Sequence, residues 1–93
     1  MFHFAKVQNI DENKILELKT FIPIEVGKEI RKFREEKKLT QTELADLIGK
    51  DRQYLYKIEK GKVTPTIFTV GLISYALGIS LAEMLKSINL STE

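Results

Sequence analysis

The stretch from Leu39 to Gly61, LTQTELADLIGKDRQYLYKIEKG, decides the fold. Its first half opens a helix with several independent signals. Thr40 stands at an N-cap position with Glu43 three residues on, so hydroxyl and carboxylate can each satisfy the other's orphan backbone N–H as a capping box. Leu39 and Leu44 occupy the two positions of a hydrophobic staple. The helix is predicted to run to Ile48 and stop at Gly49, because glycine enters the left-handed region without steric cost. Asp51 then caps a second helix, which Gly61 ends. A connection this short makes the two helices cross steeply.

Charge singles out the same stretch. The chain has 93 residues and a net charge of +2, which says little until it is divided. Residues 1–23 are neutral, residues 24–62 carry +3 and residues 63–93 carry −1. Between Gly49 and Lys62, five bases (Lys50, Arg52, Lys57, Lys60 and Lys62) face only Asp51 and Glu59. A local excess of that kind attracts a polyanion even when the global charge is small.

Working outward, Pro23 suits the first turn of a helix, and that helix is expected to reach about Lys38. Val26, Ile30 and Phe33 line one face of it, with Lys28, Arg31, Lys32, Glu35 and Glu36 elsewhere. Leu44, Ala45, Leu47 and Ile48, then Leu55 and Ile58, are the expected inward positions of the central pair, leaving Arg52, Gln53, Tyr56 and Lys57 outside. Thr64 and Pro65 signal a fourth helix closing at Gly78. Ser80 and Glu83 form a second capping box, with Ile79 and Met84 as its staple, and place a fifth helix over 81–88. The expectation is an all-α bundle of five helices in one domain over 23–90, preceded by an extension over 1–22. In that extension FHFAKV reads as a strand, while KILELKTFI fits both strand and helix periods; the reading favours a β-hairpin turned around Asn9 to Asn13. Its apolar residues are too many for a solvated tail, so it is expected to pack on something.

Several functions are disfavoured. No cysteine is present, which removes disulfides and thiolate chemistry and agrees with a reducing cytoplasm. The opening MFHFAKVQN lacks the basic and long apolar regions of a secretory signal, so an intracellular location is expected. The uncharged run from Val63 to Ala82 is long enough for a membrane span, but Pro65, Gly71, Gly78 and the capping signals break it. His3 is a lone histidine and makes a poor metal site. Glu35 and Glu36 are adjacent on a helix and diverge by about 100°. No catalytic constellation remains; neither an enzyme nor a cofactor or metal is expected.

In LTQTELADLIG, the IEKG that closes the second helix, Thr64-Pro65-Thr66 and ALGISLAEML, the chain resembles the phage repressor and Cro-like helix-turn-helix family, also called the xenobiotic-response-element family. The match covers roughly Glu25 to Leu85. The resemblance implies a lambda-repressor-like five-helix bundle, DNA reading by the second motif helix, and a homodimer on a two-fold symmetric operator. It gives Gln41 a phosphate contact at the start of the first motif helix and sends Arg52, Gln53 and Lys57 into the major groove with Tyr56 beside them. Arg and Gln suit guanine and adenine edges respectively. Lys62 suits a phosphate, and Arg34 with Glu59 matches an ion pair that bridges the first helix to the end of the reading helix.

Two departures from the family stand out. Tyr54 and Tyr56 replace residues that are more often small or polar, which leaves the base preference open. In the fourth helix Phe68, Leu72 and Tyr75 form a second apolar stripe beside Ile67, Val70, Ile73 and Leu77. Either the extension folds over that stripe or a second subunit covers it. The function expected is sequence-specific transcriptional regulation by a dimeric repressor. The alternatives are an antitoxin or restriction-system controller of the same fold, and a protein-interaction module that has lost DNA binding.

Overall fold

Five helices in chain order make up the computed structural model, which describes residue 7 and residues 9–90; the expected first strand FHFAKV lies almost wholly outside those residues. Helix α1 spans Glu12–Glu36, α2 Gln41–Leu47, α3 Arg52–Glu59, α4 Ile67–Ala76 and α5 Leu81–Leu85. No strand occurs among the described residues.

The expected hairpin is therefore corrected. Asp11 caps α1 by accepting the Lys14 backbone N–H at 2.8 Å, and the helix runs on through Pro23, twelve residues in. Proline inside a helix deprives the carbonyl four residues earlier of its partner and costs about 3 kcal/mol. Here the ring is buried, and the segment before it is built from strong helix formers, Glu, Lys and Leu. The alternation of Leu16, Leu18 and Ile22 was thus the incidental pattern, and the helical spacing of Ile15, Leu18 and Ile22 the operative one. One helix crosses the expected boundary at residues 22 and 23.

The core takes Val26, Ile30 and Phe33 from α1, Leu44, Ala45 and Ile48 from α2 and its cap, Leu55 and Ile58 from α3, Val70, Ile73 and Leu77 from α4 and its cap, and Met84 from α5. Leu47 is corrected: it is 60% exposed, because the short α2 reaches the core through only a narrow arc at 44, 45 and 48. Helix α4 is capped by Thr66, which accepts the Thr69 N–H, and so starts later than Thr64 and Pro65 had implied. Helix α5 ends at Leu85, short of Ile88, and Ser80 forms the forward half of its box by accepting from Glu83 N–H.

Four helices close with the same device. After α2, α3 and α4 the residues Gly49, Gly61 and Gly78 have φ near +70°, and after α1 the same place is taken by Lys38 at +60°. In each case the following N–H bonds back across the last turn, as Leu39 does to the Arg34 carbonyl and Lys50 to that of Ala45.

Candidate nucleic-acid interface

The central pair forms as its local chemistry requires. Thr40 Oγ1 accepts the Glu43 N–H at 3.0 Å while Glu43 Oε1 accepts the Thr40 N–H at 2.8 Å, so both halves of the box are made. Asp51 accepts the Tyr54 N–H at 2.8 Å and fixes where α3 begins. Gly49, with φ +71°, reverses the chain between them.

What holds α3 against the bundle is a buried ionic network. Arg34 donates through Nε and Nη2 to the two carboxylate oxygens of Glu59 at 2.6 and 3.0 Å, and through Nη1 to the Leu39 carbonyl at 2.7 Å. The side chains are 10% and 2% exposed. The hydrogen bond to Glu59 raises the Arg34 pKa further above its ordinary value, against the opposing effect of burial. Gln41 donates from Nε2 to Glu59 Oε1 at 3.0 Å, so one carboxylate at the end of α3 orients residues from both α1 and α2. The second amide hydrogen of Gln41 has no partner among the described residues.

A second support was not visible beforehand. Gly27 of α1 lies against the C-terminal carbonyls of α3, and a Cβ there would sit 2.3 Å from the Ile58 oxygen and 2.7 Å from that of Glu59. The absence of a side chain is what lets α1 touch the end of α3.

The outer side of α3 presents two parallel rows. Arg52, Tyr56 and Lys60 follow one another at four-residue steps, as do Gln53 and Lys57; all are exposed except Tyr56, which is half-buried. Tyr54 packs partly against the core. Lys60 and Lys62 lie 5.9 and 5.5 Å from the centre of the Tyr56 ring, within cation–π range, so two ammonium groups gather around one phenol. The first row borders an open cleft of about 460 Å³ shared with α1 and α2, whose lining includes Arg31, Gln41, Thr42, Arg52, Tyr56 and Lys60. Arg31, Thr42 and Lys60 are additions to the residues expected from sequence. Arg31 stands one turn before Arg34 on α1, which was the available clue. Phe68 and Tyr75 do not line this cleft; they are exposed on α4, and Leu72 is packed against the core.

Two capped helices joined at a left-handed glycine, the second bearing cationic and amide side chains over a basic cleft, define a helix-turn-helix protein. The helix-turn-helix family HTH_3 matches residues 30–84, and the chain belongs to that family of DNA-binding transcriptional regulators. It is 37% identical over 59 residues to an immunity repressor of Bacillus phage phi105, an alignment covering 63% of this chain and 41% of the repressor. It is 38% identical over 68 residues to the control protein C.MunI of a Mycoplasma species, covering 72% and 92%. Among solved structures, the restriction-modification controller C.AhdI of Aeromonas hydrophila superposes with a TM-score of 0.65 at 30% identity, covering 68% of this chain and 96% of that one. The chain thus spans less than half of the phage repressor but nearly all of the two controllers. No described helix is long and apolar enough to cross a membrane.

Proposed function

We propose that this protein is a cytoplasmic repressor that binds a two-fold symmetric operator as a homodimer and reads it with α3. Arg52, Gln53 and Lys57, with Tyr56 at their side, enter the major groove. Gln41 and Lys62 hold phosphates, joined by Arg31, Thr42 and Lys60 from the cleft. The observation that carries this reading is the anchoring of α3: its buried edge is fixed by Arg34, Glu59 and Gly27, while the side chains of Arg52, Gln53 and Lys57 on its outer rows make no hydrogen bond or ion pair among the described residues. A rigid helix with unengaged amide and guanidinium groups is suited to base edges, where each good bidentate pair discriminates by about 1–3 kcal/mol. Phosphate contacts add affinity without sequence preference and make it sensitive to salt. No catalytic step enters this function.

A selection from random duplexes, followed by a salt titration on the enriched sequence, tests the reading. A palindromic winner and a steep salt slope are expected. Absence of enrichment together with a flat slope defeats it and favours a protein-interaction module. The near-complete coverage of two controllers favours a narrower version, control of a restriction system, and binding upstream of a restriction gene is its test.

A further inference from the structure

Cations are held differently on α1 and around α3. Lys28, Arg31, Lys32 and Arg34 on α1 each pair with a carboxylate at 3.2 Å or less. Around α3, Lys50, Lys60 and Lys62 form no ion pair among the described residues, and the acids adjacent in sequence are engaged, Glu59 by Arg34 and Gln41 and Asp51 by the Tyr54 N–H. These three lysines rest on tyrosine rings instead. The Lys50 ammonium is 5.1 Å from the centre of the Tyr54 ring, and those of Lys60 and Lys62 are 5.9 and 5.5 Å from that of Tyr56. Lys32 also lies over a ring, that of Phe33, but keeps its carboxylate.

The backbone brings the Tyr56 cluster together. Lys60 follows Tyr56 by one helical turn, and Gly61, at φ +71°, bends the chain so that the Lys62 N–H bonds back to the Lys57 carbonyl at 2.9 Å. Gly61 lies against α1, where a Cβ would sit 2.7 Å from Cγ1 of Ile24, so the turn is fixed to the bundle. The residues on either side of one glycine therefore reach one ring.

A ring and a carboxylate hold a lysine with different consequences. A carboxylate neutralises the ammonium and takes its hydrogen bonds, so the pair must break before a phosphate oxygen binds. The face of a phenol attracts the cation through its quadrupole and does neither. The side chain loses rotamer freedom in advance while keeping its full charge and its N–H donors. Two ammonium groups gathered without a counter-charge repel each other, and an anion between them relieves the repulsion. Tyr56 and Lys60 also line the cleft bordered by Arg31, Gln41 and Arg52, which gives that anion a place beside the base-reading row.

We propose that Tyr56, with Tyr54 as its counterpart at the start of α3, is a positioning residue: its ring holds Lys60 and Lys62 as a preset clamp for a phosphate of the duplex. The inference rests on the proposed DNA binding and adds how its phosphate contacts are held. Phosphates are common to every sequence, so a short mixed-sequence duplex is the probe.

Affinities for that duplex at low salt are compared in a double-mutant cycle. Tyr56→Leu is expected to weaken binding by about five- to twentyfold, and Tyr56→Phe, which keeps the ring, to restore most of the loss. In a Lys60→Ala/Lys62→Ala background, Tyr56→Leu is expected to have no further effect. By NMR of the free protein, the ε-methylene protons of Lys60 and Lys62 are expected upfield of those of Lys57, shifted by the ring current of Tyr56. That measurement needs no substitution and stands whatever Tyr56→Leu does to folding. Absence of the upfield shift overturns the clamp, as does a Tyr56→Leu loss that persists in the double-alanine background or that Tyr56→Phe fails to restore. A coupled clamp in a protein that enriches no duplex on selection defeats base reading alone, and enrichment with an uncoupled Tyr56 defeats the clamp alone.

Discussion

Replacing Arg34 with methionine keeps most of the side chain's length and removes its charge, which leaves the Glu59 carboxylate inside the bundle with Gln41 as its remaining donor. Two charge-assisted bonds to a carboxylate that is 2% exposed are lost, along with the bond to the Leu39 carbonyl. Removing one partner of a buried pair costs about 3–5 kcal/mol, most of it the penalty for the charge left behind. Domains of this size have stabilities of only about 5–15 kcal/mol, so a large share disappears. At an m near 1.5 kcal/mol per molar, the midpoint of urea unfolding falls by about 2–3 M. Converting both residues to methionine removes the stranded charge, so Arg34→Met/Glu59→Met is expected to recover about 2 kcal/mol or more of the loss. Equilibrium urea denaturation of both variants, followed by circular dichroism, measures this. A single variant that loses less than about 1 kcal/mol, or a double variant no more stable than the single, refutes the reasoning.

Gly27→Ala should improve helix propensity by about 1 kcal/mol, yet its Cβ meets the Ile58 carbonyl at 2.3 Å; net destabilisation of roughly 1–3 kcal/mol is expected from the same denaturation assay. Lys38→Gly has the opposite sign, since Lys38 holds a φ of +60° at the end of α1; a gain of about 0.5–1 kcal/mol and a rise of a few degrees in Tm are expected by calorimetry. Lys62→Ala should weaken binding to all duplexes alike and lower the slope of log affinity against log salt by about 1. The raised pKa of Arg34 means that its contribution is fully present below its unfolded value and is lost only as pH climbs through the folded one. Both lie far above neutrality, so this group adds no slope to a stability profile between about pH 6 and 9.

The parts of the fold legible in the sequence were those fixed by near neighbours. Thr40 with Glu43, Asp51 and the three left-handed glycines act within a turn, so their spacing carries the whole signal. Helix α1 shows the limit. Pro23 is compatible with a helix start and with a buried interior position, and only packing against the bundle decides between them. The contact of Gly27 with α3 joins residues more than thirty positions apart, and a lone glycine in an amphipathic helix gives no hint of which backbone approaches it. The candidate site divides the same way. The residues on α3 were legible because they share one helix face, whereas Arg31 reaches the cleft only through the tertiary crossing of α1 over α2 and α3. The stripe on α4 was legible as apolar, and the structure reveals which of its members face outward: Phe68 and Tyr75, but not Leu72.

In the proposed function α3 reads bases while residues around it hold phosphates. Its most direct test compares the wild type and Gln53→Ala on the selected operator and on every single-base variant of one half-site, at one salt concentration. Gln53→Ala is expected to lose about 1–3 kcal/mol of discrimination at one base pair and to keep it elsewhere. A uniform loss at all positions, or none, would contradict it.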